Sequence, residues 1–333
     1  MPISSVFSKN ANGAITFTGN SLGLSKTPDS QDMGTASAIG AYITTNTSDI
    51  VSTYPNGTTL SYTSNSSSAR LTIPEGSTIL RAEIIWGGTC QVQYEDHISE
   101  LFNFKLQFIT PSQSITIDKS AIDGRRMEPS DDGSCTFYTN WANVTEYVRN
   151  TMSGIYTVSG AIGTTQQNNN SYNSCGWTLA VCYENQSLPS RYMALYNNIQ
   201  PIAPNSTVNL NLSNFKTPLS TSPNGRILLS ALRGSAVDTG DQVLFGSTTS
   251  TLTPLSGPRN MVDNFFGSQI NNDLGELDTT GTFGDRNQNI VTTTNISGGR
   301  QSQDITNVDA SSKLGNNQTA AVKLQLVSIL LMA

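Results

Sequence analysis

The sequence predicts an all-β protein built as two jelly-roll-like β-sandwich lobes, with short helical turns and one long irregular loop region. Three observations carry this expectation. Short runs alternate apolar and polar residues with a period of two, the pattern of strands with one buried face. Clusters of Gly, Pro, Asn and Ser stand between the runs and read as turns. Helical signals are confined to single turns.

In chain order, residues 14–18 form the first alternating run. The run 68–73 stops at Pro74, and Glu75-Gly76 turns the chain into the strand 77–86. There Ile79, Arg81, Glu83 and Ile85 are expected on one face, with Leu80, Ala82, Ile84 and Trp86 on the other. The second face is apolar throughout and is expected in the core. Further strand runs are 105–110, 114–117, 136–139, 154–161, 175–183, 191–196, 207–212, 226–233, 242–245 and 320–331. Asn143-Val144-Thr145-Glu146 has the form of a capping box and predicts one helical turn. Asp304-Ile305-Thr306-Asn307-Val308 reads as a second phrase of that kind. The stretches 79–87 and 227–234, upstream of the two phrases, also resemble each other. An offset of roughly 150 residues is the size of one domain, so the spacing predicts a duplicated lobe, with one large sandwich whose strand vocabulary repeats by chance as the competing reading. The expected lobes are 1–198 and 199–333, with a long loop region at 247–303 inside the second. A shorter polar loop is expected at 164–174. Loops as long as 247–303 are uncommon in compact domains unless functional or internally ordered.

Composition narrows the function. Lys and Arg number 18 against 24 Asp and Glu, giving a net charge of −6, and only 13% of residues are charged. The usual charged share is about 25%. With no basic surplus to neutralise phosphates, nucleic acid is not an expected partner. The longest apolar stretch, 324–333, is interrupted by Gln325 and Ser328 and is far short of the ~20 residues of a membrane helix. The start, Met1-Pro2-Ile3-Ser4-Ser5, lacks the basic and apolar segments of a signal peptide. Cys90, Cys135, Cys175 and Cys182 fit no zinc or redox spacing. Cys175 and Cys182, seven apart on one predicted strand, point to opposite faces, whereas a Cys90–Cys135 bridge stays open.

Few residues offer chemistry. Asp238-Thr239-Gly240-Asp241 and the run from Asn271 to Asp278, including Asp273, are clusters of oxygen ligands. They make Asp238, Asp241, Asp273 and Asp278 candidate calcium ligands, calcium being the one cofactor these residues suggest. Neither run has EF-hand spacing, and Asp and Asn holding tight turns is the competing reading. The single histidine, His97, follows Glu95-Asp96, and any histidine-based triad would have to use it. Glu83 and Glu95 could pair for glycoside hydrolysis, but no spacing favours it over a charged sheet edge. Trp86 and Trp177 lie in apolar runs and read as core, leaving Trp141 as the candidate for stacking on a ligand such as a sugar ring.

Several phrases together carry a family resemblance. They are Gly13-Ala14-Ile15-Thr16-Phe17-Thr18-Gly19-Asn20-Ser21-Leu22-Gly23-Leu24-Ser25-Lys26, Ala82-Glu83-Ile84-Ile85-Trp86-Gly87-Gly88 and Gly176-Trp177-Thr178-Leu179-Ala180-Val181-Cys182-Tyr183-Glu184-Asn185. Asn264-Phe265-Phe266-Gly267-Ser268-Gln269-Ile270-Asn271 and Asp304-Ile305-Thr306-Asn307-Val308-Asp309 continue it. The chain resembles the N-terminal region of Bacillus and Clostridium spore- or cell-surface proteins that often carry tandem β-sandwich repeats of unknown function. That resemblance implies a structural or adhesive role at a spore or cell surface and brings no catalytic residues. No tandem repeats follow here, which points to a coat, exosporium or appendage component rather than a stalk. The expectation is a non-enzymatic structural surface protein that self-assembles as a homo-oligomer or polymer. The alternative is a glycan- or host-protein-binding adhesin module.

Overall fold

In the computed structural model the described residues are 5–25, 38–45, 54–91, 103–130, 133–165, 173–197, 201–202, 206–219, 221–248, 250–318, 322–328 and 331–332. The fold is all-β, and every strand ladder among them is antiparallel. Strands are numbered in chain order. A six-stranded sheet runs β13 (Ser190–Tyr196), β1 (Ser5–Ser21), β12 (Cys175–Glu184), β6 (Thr78–Gln91), β10 (Cys135–Asn143) and β9 (Gly124–Pro129). Its inner face meets a four-stranded sheet of β5 (Ser66–Leu71), β11 (Gly154–Ser159), β7 (Lys105–Ile109) and β8 (Ser114–Asp118). Ile84, Trp86, Leu106, Phe108, Tyr156 and Trp177 fill the space between them.

The central strand β6 departs from strict alternation at one point. Arg81 pairs with Cys182 and Ile79 with Tyr183, which leaves Leu80 as the extra residue of a β-bulge. Ala82, Ile84 and Trp86 lie in the core as the alternation predicts. Below the bulge the assignment reverses. Ile79 joins the core, and Leu80 packs on the outer face with Ile15, Ile85 and Cys182.

A third sheet contains β19 (Arg300–Gln301), β2 (Gly23–Ser25), β3 (Ile39–Ile43) and β4 (Thr58–Thr59). Strand β19 of the long irregular region thus pairs with a strand near the chain's start. The fourth sheet is β14 (Pro201–Ile202), β22 (Leu331–Met332), β16 (Arg226–Leu232) and β20 (Gln303–Asp309). The fifth is β15 (Ser206–Leu212), β21 (Val322–Ser328), β17 (Gln242–Gly246) and β18 (Thr253–Pro254). Ala231, Val243, Phe245, Phe265, Phe266 and Val308 form a second, smaller core.

Strands β16 and β20 lie against the outer face of the six-stranded sheet, where glycines let the backbones approach. A Cβ at Gly176 would stand 2.3 Å from Gln303 Oε1, and one at Gly19 would stand 2.8 Å from Ile305 Cδ1. The predicted helical turn is present as α1 (Thr145–Arg149), with Asn143 Oδ1 accepting from Thr145 N at 3.0 Å. The second phrase is not helical. Asp304–Val308 lies within β20, paired with β16 through Ile227↔Val308 and Leu229↔Thr306. The Asp304 side chain accepts a distant backbone N–H, that of Gln269 at 2.9 Å, instead of capping a turn of its own. No helix among the described residues is long and apolar enough to cross a membrane.

Candidate functional site

The most unusual local chemistry lies in residues 257–307, where buried side-chain amides hold irregular backbone in place. Gln288 Nε2 donates to Arg300 O at 3.0 Å. Gln301 Nε2 donates to Gly234 O at 3.0 Å and to Ser268 Oγ at 2.8 Å. Asn260 Nδ2 reaches Phe265 O, and Asn287 Nδ2 reaches Asp278 O, each at 2.8 Å. Gln303 Nε2 bridges toward β16 through Ser230 Oγ at 3.0 Å. A buried amide has two donors and an acceptor that must find partners, so each of these side chains fixes a particular loop path. Arg300 is only 2% exposed and donates from Nη2 to Asp278 O at 2.6 Å. Burial pushes its guanidinium down to about 10, against the opposing charges of Asp278 and Asp285.

Two buried carboxyls bracket the segment 265–269. Asp241 Oδ2 accepts from Phe266 N at 2.6 Å, and Asp304 Oδ1 accepts from Gln269 N. Burial pushes Asp304 up to about 8, with the Gln269 N–H opposing and the Asp241 charge adding to the rise. Asp241 is pushed up to about 6, again mainly by burial, with the Phe266 N–H opposing. Three non-glycine residues beside the bracket have left-handed backbone: Arg233 at φ 76°, Ser268 at φ 51° and Ser302 at φ 78°. Such conformations cost of order 1–3 kcal/mol each and persist only where the surroundings over-determine them. The amide network supplies that constraint.

The four predicted calcium ligands do not converge. Asp241 is committed to the bracket and Asp238 is exposed. Asp273 accepts from Asn307 Nδ2 at 3.1 Å, and Asp278 accepts from Thr280 N at 2.8 Å. Among the described residues, no three of His, Cys, Asp and Glu gather in a group that could hold a metal ion. The turn-holding role is visible at Asn272 too, whose Oδ1 accepts from Leu274 N and Glu276 N. His97 and Glu95 lie outside the described residues.

Trp86 and Trp177 are core, and Trp177 Nε1 donates to Ser67 Oγ at 2.9 Å. Trp141 sits half-buried on the outer face of the six-stranded sheet. Its ring lies over Gly124, where a Cβ would meet Trp141 Cζ2 at 2.1 Å. One face of the indole is thereby spent on a cross-strand glycine. Nearby, Glu83 is fully buried and accepts from Arg81 Nε at 2.6 Å. Burial pushes it up to about 7, against the Arg81 guanidinium.

Cys175 and Cys182 face opposite sides of β12, as their spacing predicts. Cys90 and Cys135 cannot bridge. Cys135 pairs with Gln91, so Cys90 is one residue out of register and points to the other face of the sheet. All four cysteines are buried. Gly19-Asn20-Ser21-Leu22-Gly23 has the Gly-x-Ser-x-Gly form of a hydrolase elbow, a match that reading for strand runs passes over. Here it spans the end of β1 and the start of β2 rather than a strand–helix turn. Ser21 Oγ is buried and donates to Gly23 O at 2.8 Å. Comparison with family models, with curated proteins and with solved structures finds no match to this chain.

Proposed function

We propose that this chain is a non-enzymatic structural protein of a spore or cell surface that assembles with copies of itself. The observation that carries the reading is where its reactive side chains are spent. Asp241, Asp304, Gln288 and Gln301 are all buried and bonded to the chain's own backbone. Ser21 is committed in the same way, and Glu83 is held by Arg81. A catalytic centre keeps such groups directed at a substrate, whereas a building block uses them to stiffen itself. The resemblance of residues 13–26, 82–88 and 176–185 to surface proteins of spore-forming bacteria supports the location. A surface with little charge suits close packing of like subunits. Negative-stain electron microscopy of the purified full chain tests the reading. Ordered polymers or closed rings are expected, and a field of monomers at high protein concentration would overturn it.

A further inference from the structure

Two exposed surfaces on different layers of the molecule are complementary in charge and share an apolar character. The first surrounds residues 258–263. Val237, Val262, Leu274 and Val291 are the exposed aliphatic side chains of this part of the chain, and Leu274 is 71% exposed. Three contacts draw them round that segment. A Cβ at Gly275, beside Leu274, would meet Pro258 Cδ at 3.2 Å. Arg259 Nη2 donates to Asn289 Oδ1 at 3.2 Å, two residues before Val291. Asn264 Nδ2 donates to Ala236 O at 3.2 Å, next to Val237. Asp238, Asp263, Asp273 and Glu276 stand exposed among these aliphatic residues. Arg226 and Arg259 offset only part of that negative charge, and both are already bonded to neighbouring residues of this region.

The second surface is the outer face of the β5–β11–β7–β8 sheet. Ile155 at 40% and Ile109 at 37% are exposed there, with Arg70 directly opposite Ile155. Lys105 lies four residues before Ile109 on the same face of β7, and Lys119 follows β8. Among the described residues of that face, Asp118, opposite Lys105, is the acidic one. The remaining described positions of those strands on this face are Ser, Thr and Gln, so the described face is net basic.

The segment 258–263 and the basic face lie on opposite sides of the six-stranded sheet, while residues 281–282 of the same block reach the β5 edge at Ser68. Gly257 and Asn260 pack on Val308 and Thr306 of β20, and β20 lies on the outer side of the six-stranded sheet. The four-stranded sheet covers the inner side. Two copies, each with a net charge of −6, repel at long range unless a local basic face receives the acidic patch.

We infer that copies of this chain associate head to tail, the acidic aliphatic patch around residues 258–263 of one seating on the basic outer face of the β5–β11–β7–β8 sheet of the next. The inference rests on the self-assembly reading above and names the two faces that meet. Such a contact joins unlike surfaces, so it propagates into a filament or closes into a ring. Its charged part weakens as salt shortens the Debye length.

Sedimentation velocity of the full chain at about 0.05 M and about 0.5 M salt measures it. The natural chain is expected to associate more strongly at the lower salt. Reversing one face, with Arg70→Glu and Lys105→Glu, is expected to weaken association about tenfold or more. So is reversing the other, with Asp263→Lys and Glu276→Lys. Combining all four substitutions, or mixing the two double variants, is expected to restore association, an outcome that a merely misfolded variant cannot give. Leu274→Ser, at a turn tip, is expected to weaken association without moving the unfolding midpoint. Assembly that neither double variant changes would overturn this pair of faces while leaving self-assembly standing. A natural chain that stays monomeric at both salt concentrations would overturn both.

Discussion

The sandwich at 66–91 and 105–184 and the irregular block at 257–307 are both well buried, yet they solve folding in opposite ways. The sandwich excludes water from large apolar side chains, with Trp86, Phe108, Tyr156 and Trp177 almost fully buried. Its backbone polar groups are satisfied by ladders, so its side chains are free to be apolar. Before β19 the block has isolated bridges but no strand ladder. Buried Asn, Gln, Asp and Arg take over the work that strands do elsewhere, each answering a backbone carbonyl or N–H. A lean apolar content thus suffices for a large chain when amides substitute for regular hydrogen bonding. The two solutions fail differently: a sandwich tolerates loss of a hydroxyl but not of volume, and an amide block the reverse.

Substitutions can break that contrast in order of expected effect. Trp177→Ala removes a buried indole from the sandwich and is expected to cost about 3–5 kcal/mol in denaturant unfolding. Gln288→Leu keeps volume but strips partners from Arg300 O and Ile296 N, for an expected loss of about 1–3 kcal/mol. If volume alone mattered in the block, Gln288→Leu would be neutral or stabilising. The buried carboxyls sharpen the contrast through pH. Asp304, Glu83 and Asp241 have folded-state values raised above those of an unfolded chain. Their contribution is fully present below about pH 4 and is lost as pH rises through about 6 to 8. Thermal unfolding is therefore expected at higher temperature at pH 5 than at pH 8.5. Each such group contributes a slope of at most about 1.4 kcal/mol per pH unit. Asp304→Asn, which fixes the neutral form, is expected to flatten the upper part of that profile, and an unchanged profile would refute the assignment. The smallest effect is expected at Trp141→Ala, about 1 kcal/mol or less, because that ring is only half-buried over Gly124.

How far these features can be read from sequence differs by region. Period-two alternation placed Ala82, Ile84 and Trp86 in the core because a strand forces that geometry on any residue. It failed two residues earlier, since a bulge at Leu80 depends on the partner strand and not on β6 itself. Asp304–Val308 looked like a helical turn because an acidic residue before Ile and Val is a local capping signal. The ladder with β16 outweighs that signal once the chain is folded. The block is the least legible part. Its Asn, Gln, Ser and Gly content announces a loop, but Gln301 reaches Gly234 across 67 positions, and no local pattern encodes that pairing. The same composition made Asp238, Asp241, Asp273 and Asp278 look like one ligand set, although each holds or borders a different turn.

Hydrogen–deuterium exchange of the full chain and of Gln288→Leu tests most directly whether side-chain amides hold the block as firmly as ladders hold the sandwich. In the natural chain the backbone of residues 257–307 is expected to be protected on the timescale of β6 and β12. In the variant, protection is expected to fall in residues 284–303 and to stay unchanged in the sandwich. Rapid exchange throughout 257–307 in the natural chain, or no local loss in the variant, would contradict the account.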